Sequence, residues 1–185
     1  MRPILLPLLA VLAGCGDASE FVSIFDGESL DGWHATSEAN WRVEGGAIVV
    51  DSGERGFLVH EDTYLNYELQ LEFKASAGTN SGVFLSTTER PADVAKDCYE
   101  LNIAPPENPF PTGSLVGRKK YGGAGESDGW RRFDVRVHGL RVHVKLDGQE
   151  VVRYIATQRA SGDRISLQLN EGRVAFRNIR VKKLP

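Results

Sequence analysis

The chain is short of cysteine, of positive charge and of any long apolar run. Its 185 residues hold two cysteines, Cys15 and Cys98. Cys15 closes an apolar leader, so Cys98 is left without a partner for an internal disulfide, and stability must come from burial. Lys and Arg number 22 against 25 Asp and Glu, a net charge of -3. That balance supplies no field to hold a polyanion and argues against nucleic acid, the short run Arg118-Lys119-Lys120 notwithstanding. The four histidines, His34, His60, His138 and His143, have no histidine or cysteine at ligand spacing, so no metal site is expected. Neither a Gly-x-Ser-x-Gly elbow nor a phosphate-binding glycine motif occurs, and no cofactor is expected, with a divalent ion left open.

The apolar run from Ile4 to Leu12 is too short to span a bilayer, which takes about 20 residues. With Arg2 before it and small residues after it, the run has the layout of a secretory signal. Its end, Leu12-Ala13-Gly14-Cys15, resembles the lipobox of bacterial lipoproteins. That resemblance implies a signal over residues 1–14, acylation at Cys15, a lipidated tether over 15–20 and a single domain over 21–185. The protein is then expected on a membrane of the bacterial cell envelope, facing the periplasm or the exterior.

Glycine, by contrast, is plentiful: 20 residues, about 11% against roughly 7% in average proteins. Many turns predict short strands, and the apolar pattern agrees. Tyr67, Leu69, Leu71 and Phe73 alternate with Glu68, Gln70, Glu72 and Lys74, a strict period of two. The same period recurs in Tyr99-Leu101-Ile103, Phe133-Val135-Val137, Val142-Val144-Leu146, Ile165-Leu167-Leu169 and Val174-Phe176, and no window shows a helical period. A two-residue loop at Gly139-Leu140 sets Val137 against Val142, Val135 against Val144 and Phe133 against Leu146, with Asp134 facing Lys145. A second at Asp147-Gly148 sets Val144 against Val151 and Lys145 against Glu150. The phase slips between Phe176 and Ile179, which predicts a bulge near Arg177-Asn178. Ten to thirteen short strands joined by turns predict an all-β, two-sheet antiparallel jelly-roll sandwich. The proline-rich segment from Ala104 to Gly125 reads as a long loop, the usual carrier of function on such a scaffold.

Two strands carry unusual polar faces. Ser166, Gln168 and Asn170 are short hydrogen-bonding groups where a solvent face would show Lys and Glu. Glu100 sits between Tyr99 and Leu101 with Asn102 on its own side, on a strand that runs into the proline-rich loop. If these strands share one sheet with Asn80 and the Arg118–Lys120 loop, the surface is weakly charged and suited to a carbohydrate; the alternative is an ordinary solvated face.

The ordered segments FDGESLDGW (25–33), WRVEGGAIVV (41–50), NSGVFL (80–85), CYELNI (98–103), PTGSLVG (111–117), Trp130 and FRNIRV (176–181) together resemble the 3-keto-disaccharide hydrolase family. The resemblance implies a jelly roll of the concanavalin A-like lectin/glucanase type, export, and hydrolysis of sugars already oxidised at C3. It places Glu100 on the family's acidic strand position and Gln168 on the glutamine of its Leu-Gln strand. Ser86 and Asn170 depart from relatives that often carry arginine and histidine or glutamate there. A 3-keto group acidifies the C2 proton, so the chemistry calls for a base and a cation. Glu100 is the candidate base, and Lys120 or Arg118 the candidate cation for the enolate oxygen. Asn80, Asn102, Arg118, Gln168 and Asn170 are the expected sugar contacts. The alternative is a lectin-like envelope module that binds carbohydrate without cleaving it.

Overall fold

The computed structural model describes residues 20–122, 125 and 127–185; the expected signal and Cys15 lie outside them. The first six strands are β1 (Val22–Ser23), β2 (Trp33–Ala35), β3 (Arg42–Glu44), β4 (Ala47–Val50), β5 (Gly56–His60) and β6 (Tyr67–Ala75). There follow β7 (Asn80–Thr87), β8 (Tyr99–Ile103), β9 (Arg131–His138), β10 (Arg141–Leu146), β11 (Gln149–Ile155), β12 (Arg164–Glu171) and β13 (Val174–Lys183). The larger sheet runs β11-β10-β9-β6-β13-β4-β3, with β1 also paired to β13; the smaller runs β2-β5-β12-β7-β8. All their pairings are antiparallel. No helix occurs among the described residues, and the architecture is the jelly-roll sandwich that the alternation predicts.

The period of two is what builds it. Tyr67, Leu69, Leu71 and Phe73 of β6 are buried in the core between the sheets, and within their own sheet Phe73 stacks on Phe133 of the neighbouring β9 at 4.6 Å between ring centres. The intervening Glu68 and Glu72 face outward and pair with Arg136 and Arg177. From the smaller sheet, Val83, Leu85, Tyr99, Leu101, Ile165, Leu167 and Leu169 complete the core. Phe133 is fully buried, so Phe133→Ala is expected to cost about 3–5 kcal/mol in denaturant unfolding through lost contacts and a residual cavity. A cost under about 1 kcal/mol would mean that the two sheets are not packed as described.

The hairpin at Gly139-Leu140 has the expected register, Val137↔Val142, Val135↔Val144, Phe133↔Leu146 and Asp134↔Lys145. Gly139 takes φ 58°, the left-handed value a first turn position requires in a tight hairpin. At Asp147-Gly148 both residues have positive φ, 51° and 82°, and Lys145 faces Glu150 as expected. Val144, however, pairs with Val152 rather than Val151, because a register shift falls between Val144 and Lys145. The extra residue on β11 absorbs the twist of the hairpin. In β13 the ladder to β6 is interrupted between Arg177 and Arg180, with Asn178 at φ 52°, the bulge expected from the slipped phase.

Candidate active site

Because alternate residues of the smaller sheet enter the core, the intervening ones share its outer face. Register lines them up in two rows. Glu100 on β8 lies opposite Phe84 on β7, which lies opposite Ser166 on β12. One step along, Asn102 lies opposite Gly82, Gly82 opposite Gln168, and Gln168 opposite Phe57 on β5. Strands are about 4.8 Å apart, so Glu100 and Asn102 stand roughly two strand spacings from Ser166 and Gln168. Asn80 and Asn170, both half-buried, come next on β7 and β12, where the ladder shifts register between Leu169 and Glu171 so that Asn80 pairs with Glu171 and Asn170 lies in the irregularity.

Gly82, buried at the centre of this face, lets its neighbours close in where a side chain would stand. A Cβ there would sit 3.2 Å from the Leu101 carbonyl oxygen, 3.4 Å from Phe84 Cε2 and 3.6 Å from Gln168 Oε1, so the Phe84 ring and the Gln168 amide both lean toward the space a side chain would fill. Phe84 in turn meets Phe57 edge-on at 4.7 Å between ring centres. The result is an apolar wall beside Glu100.

The long loop supplies the other wall. It returns along β8 with the Asn102 N–H donating to Ser114 O at 2.9 Å, Gly113 N–H to Asn102 O at 3.0 Å and Val116 N–H to Glu100 O at 3.0 Å. The backbone of β8 is thereby bonded on both sides, which fixes where Glu100 and Asn102 point. Asn102 Nδ2 donates to Phe110 O, leaving its Oδ1 as a pure acceptor.

Five buried side-chain polar atoms among the described residues lack a hydrogen bond, and three of them are Asn102 Oδ1, Gln168 Oε1 and Ser166 Oγ. Buried polar groups are ordinarily satisfied, and leaving one unpaired costs about 1–3 kcal/mol. These three lie on one face of the smaller sheet. Among them Glu100 is 9% exposed, and its carboxyl has neither hydrogen bond nor ion pair among the described residues. Burial pushes its pKa from 4.5 up to about 7, with no contribution from a cation. A carboxyl divided between its two protonation states near neutral pH is suited to moving a proton.

The expected cations are not gathered beside it. Arg118 donates to the carbonyls of Val94 at 2.7 Å and Ala95 at 2.8 Å, and lies over the Tyr99 ring at 4.8 Å. The loop it grips is itself fixed by Asp97, which accepts from the N–H groups of Ala92 and Asp93. Arg118 therefore anchors the 88–97 loop. Lys120 is exposed, with no partner among the described residues. Ser86, where relatives often carry arginine, has φ 46° and takes its backbone N–H to the Tyr67 hydroxyl at 3.1 Å. Cys98, next but one to Glu100, is a buried thiol pushed up to about 12 by burial, which leaves it inert.

Phe84, Phe57 and Gly82 were not marked by the sequence pattern, because NSGVFL reads as one apolar run and only the cross-strand register reveals its second face. A separate cleft of about 770 Å³ lies over one end of the larger sheet, lined by Glu44, Lys74, Trp130, Arg131 and Arg173 among others. It contains none of the Glu100 group, and Trp130 there is covered by the Arg177 guanidinium at 4.0 Å. Orphaned acceptors and a buried carboxyl single out the smaller sheet instead.

Comparison with known proteins agrees with the fold. A candidate glycosyl hydrolase of Parabacteroides distasonis superposes with a TM-score of 0.76 at 19% identity, over 89% of this chain and 94% of that one. A carbohydrate-binding module of Bacillus subtilis superposes with a TM-score of 0.64 at 14% identity, over 82% and 96%. A 3-keto-disaccharide hydrolase of Bacteroides thetaiotaomicron is 32% identical over 85 residues, covering 40% of this chain. The matched part is 29% of that curated relative's length. Residues 20–182 match the model of the 3-keto-alpha-glucoside-1,2-lyase-like domain, and the chain belongs to that family.

Proposed function

We propose that the protein cleaves 3-keto-glycosides on the outer face of the smaller sheet, with Glu100 as the base that takes the C2 proton. The observation that carries this reading is a buried, unpaired carboxyl with a pKa near 7 beside three unsatisfied acceptors. The ketone at C3 makes the C2–H bond acidic. Glu100 takes that proton and leaves an enolate at the C3 oxygen, whose collapse restores the ketone and forms the C1–C2 double bond as the C1–O bond breaks, the departing oxygen taking a proton from water or from the protonated Glu100. Water then adds across the double bond, with hydroxide to C1 and a proton to C2. Asn102 Oδ1, Gln168 Oε1 and Ser166 Oγ accept from sugar hydroxyls and hold the ring in place. Asn80 and Asn170, next along β7 and β12, extend the contact. Arg118 acts at one remove by anchoring a loop, and Lys120, exposed on the long loop, would have to swing toward Glu100 to serve the enolate oxygen.

This route needs one base, not the two carboxylates about 5–9.5 Å apart that ordinary glycosidases use. The burial of Glu100 favours it over simple sugar binding, since a lectin gains nothing from a carboxyl deprived of solvent. The amide-rich face favours the second reading, a non-catalytic carbohydrate module. Incubation with 3-keto-trehalose and with trehalose separates the two. The keto-sugar alone is expected to be cleaved, with kcat/KM rising as pH increases through about 7 as Glu100 loses its proton. Binding of both sugars without cleavage would establish the module instead.

A further inference from the structure

The large apolar side chains that remain exposed are not scattered. Among the described residues they are Val22, Leu65, Leu140 and Ile155, and the last three gather at one end of the sandwich. Leu65 precedes Asn66, whose Oδ1 accepts from the Gly139 N–H at 2.9 Å next to Leu140. Leu140 in turn accepts from the Ala156 N–H at 2.8 Å, next to Ile155. Arg159 ties the ring together by donating to Leu65 O at 2.6 Å. Clustered exposed apolar groups of this kind mark a contact surface.

The same end receives the N-terminus. β1 pairs antiparallel with β13, Val22 opposite Val181 and Ser23 opposite Arg180, so the chain before Val22 heads toward Lys183. There Leu184 N–H bonds to Asn66 O, and Asn66 Nδ2 donates to the Pro185 carbonyl. Val22 is seven positions after Cys15, a reach of at most about 25 Å when fully extended. An acyl chain on Cys15 would hold this end of the sandwich, and no other, near a bilayer.

We propose that the end bearing Leu65, Leu140 and Ile155 rests on the membrane to which the lipidated N-terminus is attached. Exposed charges of both signs surround it, Arg141 and Lys183 with Glu61 and Asp62, so the contact is made by apolar side chains entering the interfacial region rather than by pairing with headgroups. The strands then stand upright, and the face bearing Glu100 opens sideways to the aqueous compartment. The surface is independent of the catalytic reading, and turnover is measured apart from it.

The test uses the full chain in vesicles of phosphatidylethanolamine and phosphatidylglycerol at three to one. An environment-sensitive dye is placed at Leu140→Cys or, at the opposite end, at Ala77→Cys in the β6–β7 turn; buried Cys98 does not compete for the label. Brominated lipid is expected to quench the Leu140 probe at least threefold more than the Ala77 probe, and Leu65→Asp with Ile155→Asp should reduce that difference without changing turnover. Equal quenching at both ends, or a chain that does not stay with the vesicles, would overturn the proposal. So would a Leu140 probe shielded without vesicles together with a dimer in sedimentation, which would assign the surface to a second copy of the chain.

Discussion

Glu100→Gln is expected to lower kcat on a 3-keto-glycoside by about 10²–10⁴ while leaving substrate affinity nearly unchanged. Glutamine keeps the size of the side chain and removes the base. Its neighbours are set by the backbone of β8, bonded to β7 on one side and to the 112–116 segment on the other, so Asn102, Ser166 and Gln168 keep their places. Sugar hydroxyls still find the same acceptors, and only proton abstraction is lost. Steady-state kinetics on 3-keto-trehalose measure both quantities. A variant that turns over at the wild-type rate would remove Glu100 from the reaction.

The same substitution is expected to stabilise the protein in alkali. Glu100 is buried without a partner, and its pKa is raised from 4.5 to about 7. Below about pH 4.5 the carboxyl is neutral in both folded and unfolded chains, and burial carries no charge penalty. Between 4.5 and 7 the unfolded chain ionises while the folded one resists, and above 7 the full penalty is present. The difference corresponds to about 3 kcal/mol. Glu100→Gln should therefore be more stable in denaturant unfolding at pH 9, by up to that amount, and as stable as the wild type at pH 4. Lower stability at pH 9 would show that the carboxylate is held by a partner and is not simply desolvated. A site that lowers stability to hold a reactive group is the usual trade between function and folding.

Much of the scaffold was legible because strand sequence and strand environment share a period. Tyr67 to Lys74 announces both its faces, and the Gly139-Leu140 turn fixes four cross-strand pairs by counting. Val144↔Val152 was not legible, since a one-residue shift leaves the valine pattern satisfied by either Val151 or Val152. The candidate site divides in the same way. Glu100, Asn102 and Gln168 stand out as polar residues in apolar strands, and the sheet brings them onto one face. Their condition does not show in the sequence. The wall beside Glu100 comes from Phe84, sixteen positions earlier in the chain, leaning across a residue that has no side chain. Arg118 reads as a cation near the site, but its donors are taken by two backbone carbonyls more than twenty residues away in sequence.

Cleavage of a 3-keto-glycoside in heavy water tests most directly whether the C2 proton is removed. Elimination followed by addition of water places one deuterium on C2 of the released 3-keto sugar, above the non-enzymatic exchange of a control without protein, and Glu100→Gln should abolish both the cleavage and the label. Cleavage by the wild type with the original proton retained at C2 would contradict the account.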